Sequence, residues 1–563
     1  MSGDDEDREY REELTVHWRV NAEDLPAEDG YEDGYADGPE PVGDDADDGL
    51  GIFDLDEPSP VEEEPADAPG TDLVLVPRDE QPPIEVYEKS RRHLRPRLRR
   101  PSRHAMVPLG LVVLLALGVG AAEWLPGGER EAAARNVDVA SVQRWCPPAP
   151  PGSALVAASL PSGRSTGKPV LAAGPIAGLP ILPLAVDAST LVNTPVPDAH
   201  PLVRASGPLA AGFQATEVSR TGGLAVTACG TPDTEAYYLG GRAFGDGAVT
   251  VQIANVDSSS AEFELAFWGG RGAIGVPGYS DVVMDPHTTR TVALKGLPAG
   301  ADLLGLRVRA LTGRVASAVY TSQPTHGEEW LPRIARLGND LLLPGYAAGT
   351  PGRSVLLLNP GDAPVTVAVT GVSTGGEDPV AGLQNLSVPA NSTRQVDLSG
   401  MPADASAVRL HASAPVAAAA LADAGRDFAL TGPADRLTGP GVVGPATTAN
   451  GAAVRLVLMA RGGEAWVRIR PLAVAGRPAP APVETRVPAD GATVVDPARV
   501  LGIAPGGPVP CAVEPVSGKG RVYAAVVFVE GNGAALAALP VTAAELRVAA
   551  RPVRRDPAAS LPY

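Results

Sequence analysis

The sequence predicts an all-β body of tandem immunoglobulin-like β-sandwich units outside the membrane, behind one N-terminal transmembrane helix and a disordered acidic N-terminal tail. Three observations predict it. One plan of strands recurs about every 100 residues in the C-terminal part. Within it, apolar residues alternate with polar ones in short runs separated by Gly and Pro. Upstream, a dense basic cluster precedes 18 uncharged residues.

Charge divides the chain into three blocks. Residues 1–88 carry 31 acidic and 4 basic groups, residues 89–103 carry 8 basic and no acidic groups, and residues 104–563 carry 34 basic against 35 acidic. Such asymmetry places segments in different environments. The near-neutral body offers no basic face to nucleic acid, so nucleic acid is excluded as a partner. In the tail, repulsion is strong and apolar area small, so the entropy of ordering is not repaid and 1–88 is expected to be disordered. Two short apolar islands, Leu14–Val20 and Asp72–Val76, can add a strand to a partner's sheet or fill a groove. A cytoplasmic protein at the acidic tail is the partner they would serve.

The uncharged run spans 105–122 and includes Leu109–Leu117. At 1.5 Å per residue it covers about 27 Å, close to a hydrocarbon core. Trp124 stands at its end, where an indole favours the interface. Upstream lie Arg91, Arg92, Arg95, Arg97, Arg99, Arg100 and Arg103, in the basic juxtamembrane segment 89–104. Positive flanks are retained in the cytoplasm, so these arginines set the N-terminus inside and the body outside. The reading is a single-pass, integral membrane protein with a helix over 105–124. A soluble core helix would need chain packed around it, and its neighbours are a charged tail and a Pro/Gly linker. A cleaved signal peptide, suggested by the small residues Gly120-Ala-Ala122, is opposed by the long preceding region.

The body repeats. Val249–Asn255, Val355–Asn359 and Val454–Ala460 open three parallel series of strands. Prolines at 286, 389 and 488 mark the same turn, and the spacing suits a sandwich domain. Val365, Val367 and Val369 alternate with small polar or short residues, as do Phe263, Leu265 and Phe267. Asn359-Pro-Gly-Asp362 reads as the turn between two strands. Pro415–Ala420 has a helix-forming composition, but its counterparts Val315–Val319 and Val522–Val526 read as strand, and position in the repeat should override propensity. A fourth, degenerate unit precedes these, since Leu202–Gly212 resembles Val408–Ala418. The expected organisation is a connector at 125–145, helical around Glu129–Arg135, a degenerate first β unit at 146–236, sandwich units at 237–335, 336–437 and 438–550, and a loose tail at 551–563.

Of three cysteines, Cys146 and Cys229 flank the weakly patterned first unit, which would gain most from a cross-link. They are expected to form a disulfide. Cys511 falls at an apolar strand position and is expected to be a buried free thiol.

Trp145-Cys146-Pro after the apolar span, Cys229, Tyr237-Tyr-Leu-Gly-Gly241 and the Asn-Pro-Gly turn at 359–361 together resemble a poorly characterised actinobacterial family of membrane-anchored secreted proteins with a domain of unknown function. The likeness covers roughly residues 105–545. The last unit departs by having Ala460-Arg-Gly-Gly463 where Asn-Pro-Gly would stand. The resemblance implies an envelope protein and supplies no activity.

Chemical motifs are weak. Gly163-Arg-Ser165-Thr-Gly167 has the letters of a nucleophile elbow, but Lys168-Pro169 follows where a helix must start. Gly270-Arg-Gly272-Ala-Ile-Gly275 lacks the helix that a dinucleotide fingerprint requires. His200, His287, His326 and His411 stand in no metal-ligand spacing. His287 reads as a turn residue matching Ala390 and Ala489, and His326-Gly-Glu-Glu-Trp330 as an exposed segment between units. No catalytic, cofactor-binding or metal residue is expected. The functional expectation is a non-enzymatic scaffold or interaction protein of the cell envelope, with an envelope protein or wall glycan as partner. The alternatives are an accessory or enzyme acting on envelope polymers and a transmembrane sensor signalling through the tail.

Overall fold

Small aliphatic side chains at alternate positions, with turn residues between, set the strands. The computed structural model describes Leu14–Thr15 and residues 135–550, apart from short stretches at 149–152, 161–169, 175, 177–181, 185–190, 196–201, 243–246, 296, 298–301, 347–349, 351, 444–452, 473–478 and 504–509. The expected transmembrane segment, the seven arginines and the tail 551–563 lie outside the described residues. Among those described, no helix is long and apolar enough to cross a membrane.

The body is all-β. After β1 (Leu14–Thr15) and β2 (Arg135–Asp138), the first unit comprises β3 (Ser141–Trp145), β4 (Ala154–Ala158), β5 (Val170–Gly174), β6 (Leu182–Leu184), β7 (Leu191–Pro195), β8 (Leu202–Ser206), β9 (Gln214–Ser219) and β10 (Ala225–Ala228). The second comprises β11 (Glu235–Gly241), β12 (Ala248–Asn255), β13 (Ala261–Gly269), β14 (Gly272–Ile274), β15 (Val282–Met284), β16 (Thr288–Lys295), β17 (Leu304–Thr312), β18 (Ala316–Gln323) and β19 (Gly327–Trp330). The third has β20 (Gly338–Pro344), β21 (Arg353–Asn359), β22 (Val365–Ser373), β23 (Gly376–Pro379), β24 (Leu386–Val388), β25 (Ser392–Asp397), β26 (Ala407–Asp423) and β27 (Phe428–Thr431). The fourth has β28 (Gly441–Val443), β29 (Ala453–Arg461), β30 (Ala465–Pro471), β31 (Val483–Val487), β32 (Gly491–Val495), β33 (Cys511–Gly518), β34 (Arg521–Glu530) and β35 (Ala535–Pro540), and β36 (Arg547–Ala550) follows.

One strand order recurs. The two sheets of the first unit run β3-β8-β5-β6 and β10-β9-β4-β7, those of the fourth β28-β33-β30-β31 and β35-β34-β29-β32. The second runs β11-β17-β13-β14 and β19-β18-β12-β16, with β15 also on β13. In the third, the 17-residue β26 serves both sheets: its first half pairs β20 and β22, its second half β21 and β27. Pro415–Ala420 is therefore strand, against its composition.

One boundary differs from the sequence reading. The stretch 125–145, expected as a connector helical near Glu129–Arg135, contains β2 and β3, so the first unit begins before Cys146. Its eight strands make two four-stranded sheets, although their sequence pattern is faint. Its core alternates Leu155, Leu171 and Val203 with the small Ala157, Ala173 and Ala205, and is completed by Leu209, Phe213, Ala215 and the two cysteines.

The units do not form a string. Val355 and Leu357 face the third unit's own core, while Leu356, Leu358, Ala417, Ala419 and Leu430 complete the core of the second. Val457, Met459, Val527 and Leu536 of the fourth unit join the core of the third. Val156, Val218, Leu224 and Val226 of the first unit join the core of the fourth. Trp145 and Ala225 of the first meet Ala254, Ala316 and Trp330 of the second. The four units thus close a ring, first against fourth. β2 pairs antiparallel with β36, with Val137 opposite Val548, and brings the two ends of the body together. β1 lies parallel on β16, with Leu14 opposite Val292.

Candidate functional site

The ring closes on the last strand of each unit. β10, β19, β27 and β35 are edge strands of their own sheets, and at the centre β10 packs on β19 and β35 while β27 packs on the same two. An edge strand presents unpaired amides, which must be capped when buried. Here two carboxylates cap them across unit boundaries. Asp427, 2% exposed, sits just before β27; its Oδ2 accepts from Leu224 N of the first unit at 3.1 Å and from Leu536 N of the fourth at 2.9 Å. Glu329 of β19, 1% exposed, accepts through Oε1 from Val226 N at 3.3 Å and Trp330 N at 2.8 Å.

Glycines make room for the first of these acids. A Cβ on Gly223 would stand 2.4 Å from Asp427 Oδ1, and one on Gly327 would stand 2.7 Å from it. Asp427 therefore touches the first, second and fourth units from its place in the third. Around it, Arg220 Nε of the first unit lies 3.0 Å from Glu530 Oε1 of the fourth, and the Tyr320 hydroxyl donates to Glu328.

Burial without a cation in contact raises both acids. The Asp427 carboxyl is pushed up to about 6 by desolvation, opposed by its backbone donors and helped by Glu530. Desolvation raises Glu329 well above the usual carboxylate range, and the negative charge of Asp427 adds to it. Among the described residues Asp427 Oδ1 and Glu329 Oε2 have no hydrogen-bond partner, and neither has either oxygen of Glu217, buried in β9. Desolvation raises Glu217 to about 8.

Beside the capped strands lies a cavity of about 330 Å³, lined from all four units by residues that include Thr216, Val226, Trp330, Leu430, Phe528 and Thr542. Arg144 and Glu545 are among the lining residues and approach one another to 3.8 Å. Its size is that of a small-ligand pocket at a domain junction.

The residues singled out in the sequence are placed as follows. Cys146 and Cys229 form a disulfide, with Cα atoms 4.3 Å apart, at one end of the first unit's core. Cys511 is a buried free thiol whose ionisation burial pushes up to about 12. His411 is exposed on β26, and His200 and Ser165 lie outside the described residues. His287 is exposed in a turn at φ 57°. Strand pairing sets its counterparts one residue later than the sequence comparison did: Asn255 faces Thr288 and Asn359 faces Ser392, so His287 matches Asn391 and Asp490, both left-handed. Only a few residue types tolerate that conformation, and His, Asn and Asp are among them.

The largest correction concerns His326–Trp330. It is not an exposed segment between units. Gly327–Trp330 is β19, and Glu329 and Trp330 are buried at the ring centre. Sequence reasoning missed Glu329 because it belongs to a short, mostly polar strand, and Asp427 because it stands in the turn before the four-residue β27. The usable signal was elsewhere: Val355–Leu358 and Ala417–Ala420 are apolar at every position, as strands buried on both faces must be.

The matched positions are explained by bonding. Asn255 Nδ2 donates to the carbonyls of Ser259, Met284 and Asp285, and its Oδ1 accepts from Asp257 N. Asn359 makes the same four bonds with Ala363, Val388, Pro389 and Gly361. Residues 190–498 match a family of unknown function, DUF5719. The chain belongs to this family. The family match contains both asparagine clamps, Glu329 and Asp427, and stops before β35, which completes the junction. No curated protein matches the chain.

The fourth unit's departure from Asn-Pro-Gly also has a structural counterpart. Arg461 reaches Asp340 of the third unit, which Arg409 also holds at 3.1 Å. The position serves the boundary between units there.

Proposed function

We propose that this family member is a membrane-anchored extracytoplasmic scaffold: a closed ring of four immunoglobulin-like repeats, displayed outside the cell and acting by binding. The observation that carries the reading is the closure of the ring. Two of its buried acids, Asp427 and Glu329, cap backbone amides of neighbouring units, and its ends meet at the β2–β36 pair. A ring tethered at one point is a rigid display block whose loops and outer faces are free to bind. The apolar run 105–122 and the basic cluster 91–103 support the anchor. An envelope protein or wall glycan is the partner of that block, and the acidic tail serves a cytoplasmic protein.

The test is topology with partner capture. A reporter fused after Tyr563 is expected to be active only outside the cell, and cross-linking in intact cells should give separate partner sets for tail and body. The pairing of β1 with β16 provides a sharp counter-test, because the proposed topology puts Thr15 and Ala293 on opposite sides of the bilayer. A disulfide formed between Thr15→Cys and Ala293→Cys in intact cells would overturn the anchor.

A further inference from the structure

We propose that the four-unit ring is a pH-dependent closure whose latch is Asp427 with Glu329: protonated, the two acids let the seam of the first unit with its neighbours lock, and ionised, they loosen it. The geometry isolates this seam. Every hydrogen bond that Asp427 and Glu329 make to the first unit ends on β10 or the residue before it, Val226 N and Leu224 N. Asp427 makes its second inter-unit hydrogen bond with Leu536 N at the neighbouring edge of the fourth unit. One side chain therefore pins two edge strands, and both must move if it takes up water.

The charges around the latch are mostly of one sign. From the first unit comes Arg220, already committed to Glu530 of the fourth. The second contributes Glu328, Glu329 and the Tyr320 hydroxyl, and the third contributes Asp423 and the exposed Arg426, with His326 at 4.0 Å from Asp423. Among the described residues no cation touches either latch carboxylate. Ionising them puts two negative charges in a buried junction, where the charge of Asp427 raises Glu329 and that of Glu530 raises Asp427, with backbone amides as the groups that compensate them.

The sign follows. Asp427 titrates near 4 when solvated and at about 6 in the closed ring, so the closed ring holds the extra proton. Closure is complete below the solvated value and weakens as pH rises through about 6, and the upward shift of Glu329 acts with the same sign. From the Asp427 shift alone, the closing equilibrium falls about tenfold between about pH 5 and pH 8.

Hydrogen exchange on the full-length chain, corrected for intrinsic rates, reads this directly. Protection of the 224–228 and 535–540 segments is expected to fall about tenfold or more between about pH 5 and pH 8, while β29 in the fourth unit's core stays constant. Asp427→Asn and Glu329→Gln together should flatten the profile. Glu530→Gln, at the rim, should move its midpoint down and serves if the double variant does not fold. Equal protection of the seam at both pH values in the wild type, or a fall shared by β29, overturns the latch.

Discussion

Two regions of this protein bury polar side chains, and they do so in opposite ways. At the loop ends of the second and third units, Asn255 and Asn359 are neutral, 0% and 1% exposed, and bonded at both amide oxygen and nitrogen within their own unit. At the ring centre, Asp427 and Glu329 are ionisable, bonded through one oxygen, and joined to other units. A neutral amide that satisfies a local loop fixes the unit itself and is indifferent to pH. A carboxyl that caps a neighbour's edge strand fixes the assembly and makes it conditional. The first unit has neither clamp: Ser159 follows its second strand, with a buried unpartnered hydroxyl, and a disulfide holds the other end.

The disulfide offers the largest effect and the first way to sharpen this contrast. It closes a sequence separation of 83 residues. Replacing both Cys146 and Cys229 by Ser is expected to cost the first unit about 4 kcal/mol in the chain-entropy picture. Calorimetry should show one transition moved and the others in place. If all transitions fall together, the ring unfolds as one body and the separation of local from inter-unit fastening fails.

Asn359→Ala comes next. It strips partners from three carbonyls and one amide, at a cost of about 3 kcal/mol. The loss of thermal midpoint should be the same at about pH 5 and pH 8. A pH-dependent loss would tie the clamp to the junction and break the comparison.

Gly223→Ala tests the junction alone. The added methyl must displace the Asp427 carboxylate, with an expected cost of about 1–2 kcal/mol. The change should appear as lost exchange protection in β10 and β35, without loss in β22. Arg461→Ala is the smallest change. Its ion pair with Asp340 is partly solvated, and about 0.5 kcal/mol or less is expected by urea titration.

Much of this was legible in the residues. Alternation at Val365, Val367 and Val369 gave β22, and the repeat plan gave strand at Pro415–Ala420 where composition suggested helix. Asn-Pro-Gly at 359–361 was legible as a turn, though not as a clamp, because three of the bonds of Asn359 reach residues 4, 29 and 30 positions away. The left-handed residue at 287, 391 and 490 was misaligned by one, since proline stands on either side of the true register. β3 escaped notice because Ser141–Trp145 holds only two apolar residues, and β19 because Gly327–Trp330 is mostly polar.

By itself the sequence determined what depends on neighbours along the chain: which residues alternate, where turns fall, that one plan recurs, and that acidic, basic and neutral blocks follow one another. Only the tertiary structure decided that four units close into a ring, that Asp427 and Glu329 are buried, and that a cavity lined from all four units lies beside the capped strands. The reason is range. Alternation reports which face of a strand meets its own sheet partner, but the docking of Leu224 or Leu536 on Asp427 links residues 203 and 109 positions apart. Nothing periodic in the sequence encodes those meetings, because each is made once, by one side chain, at the place where four edges converge.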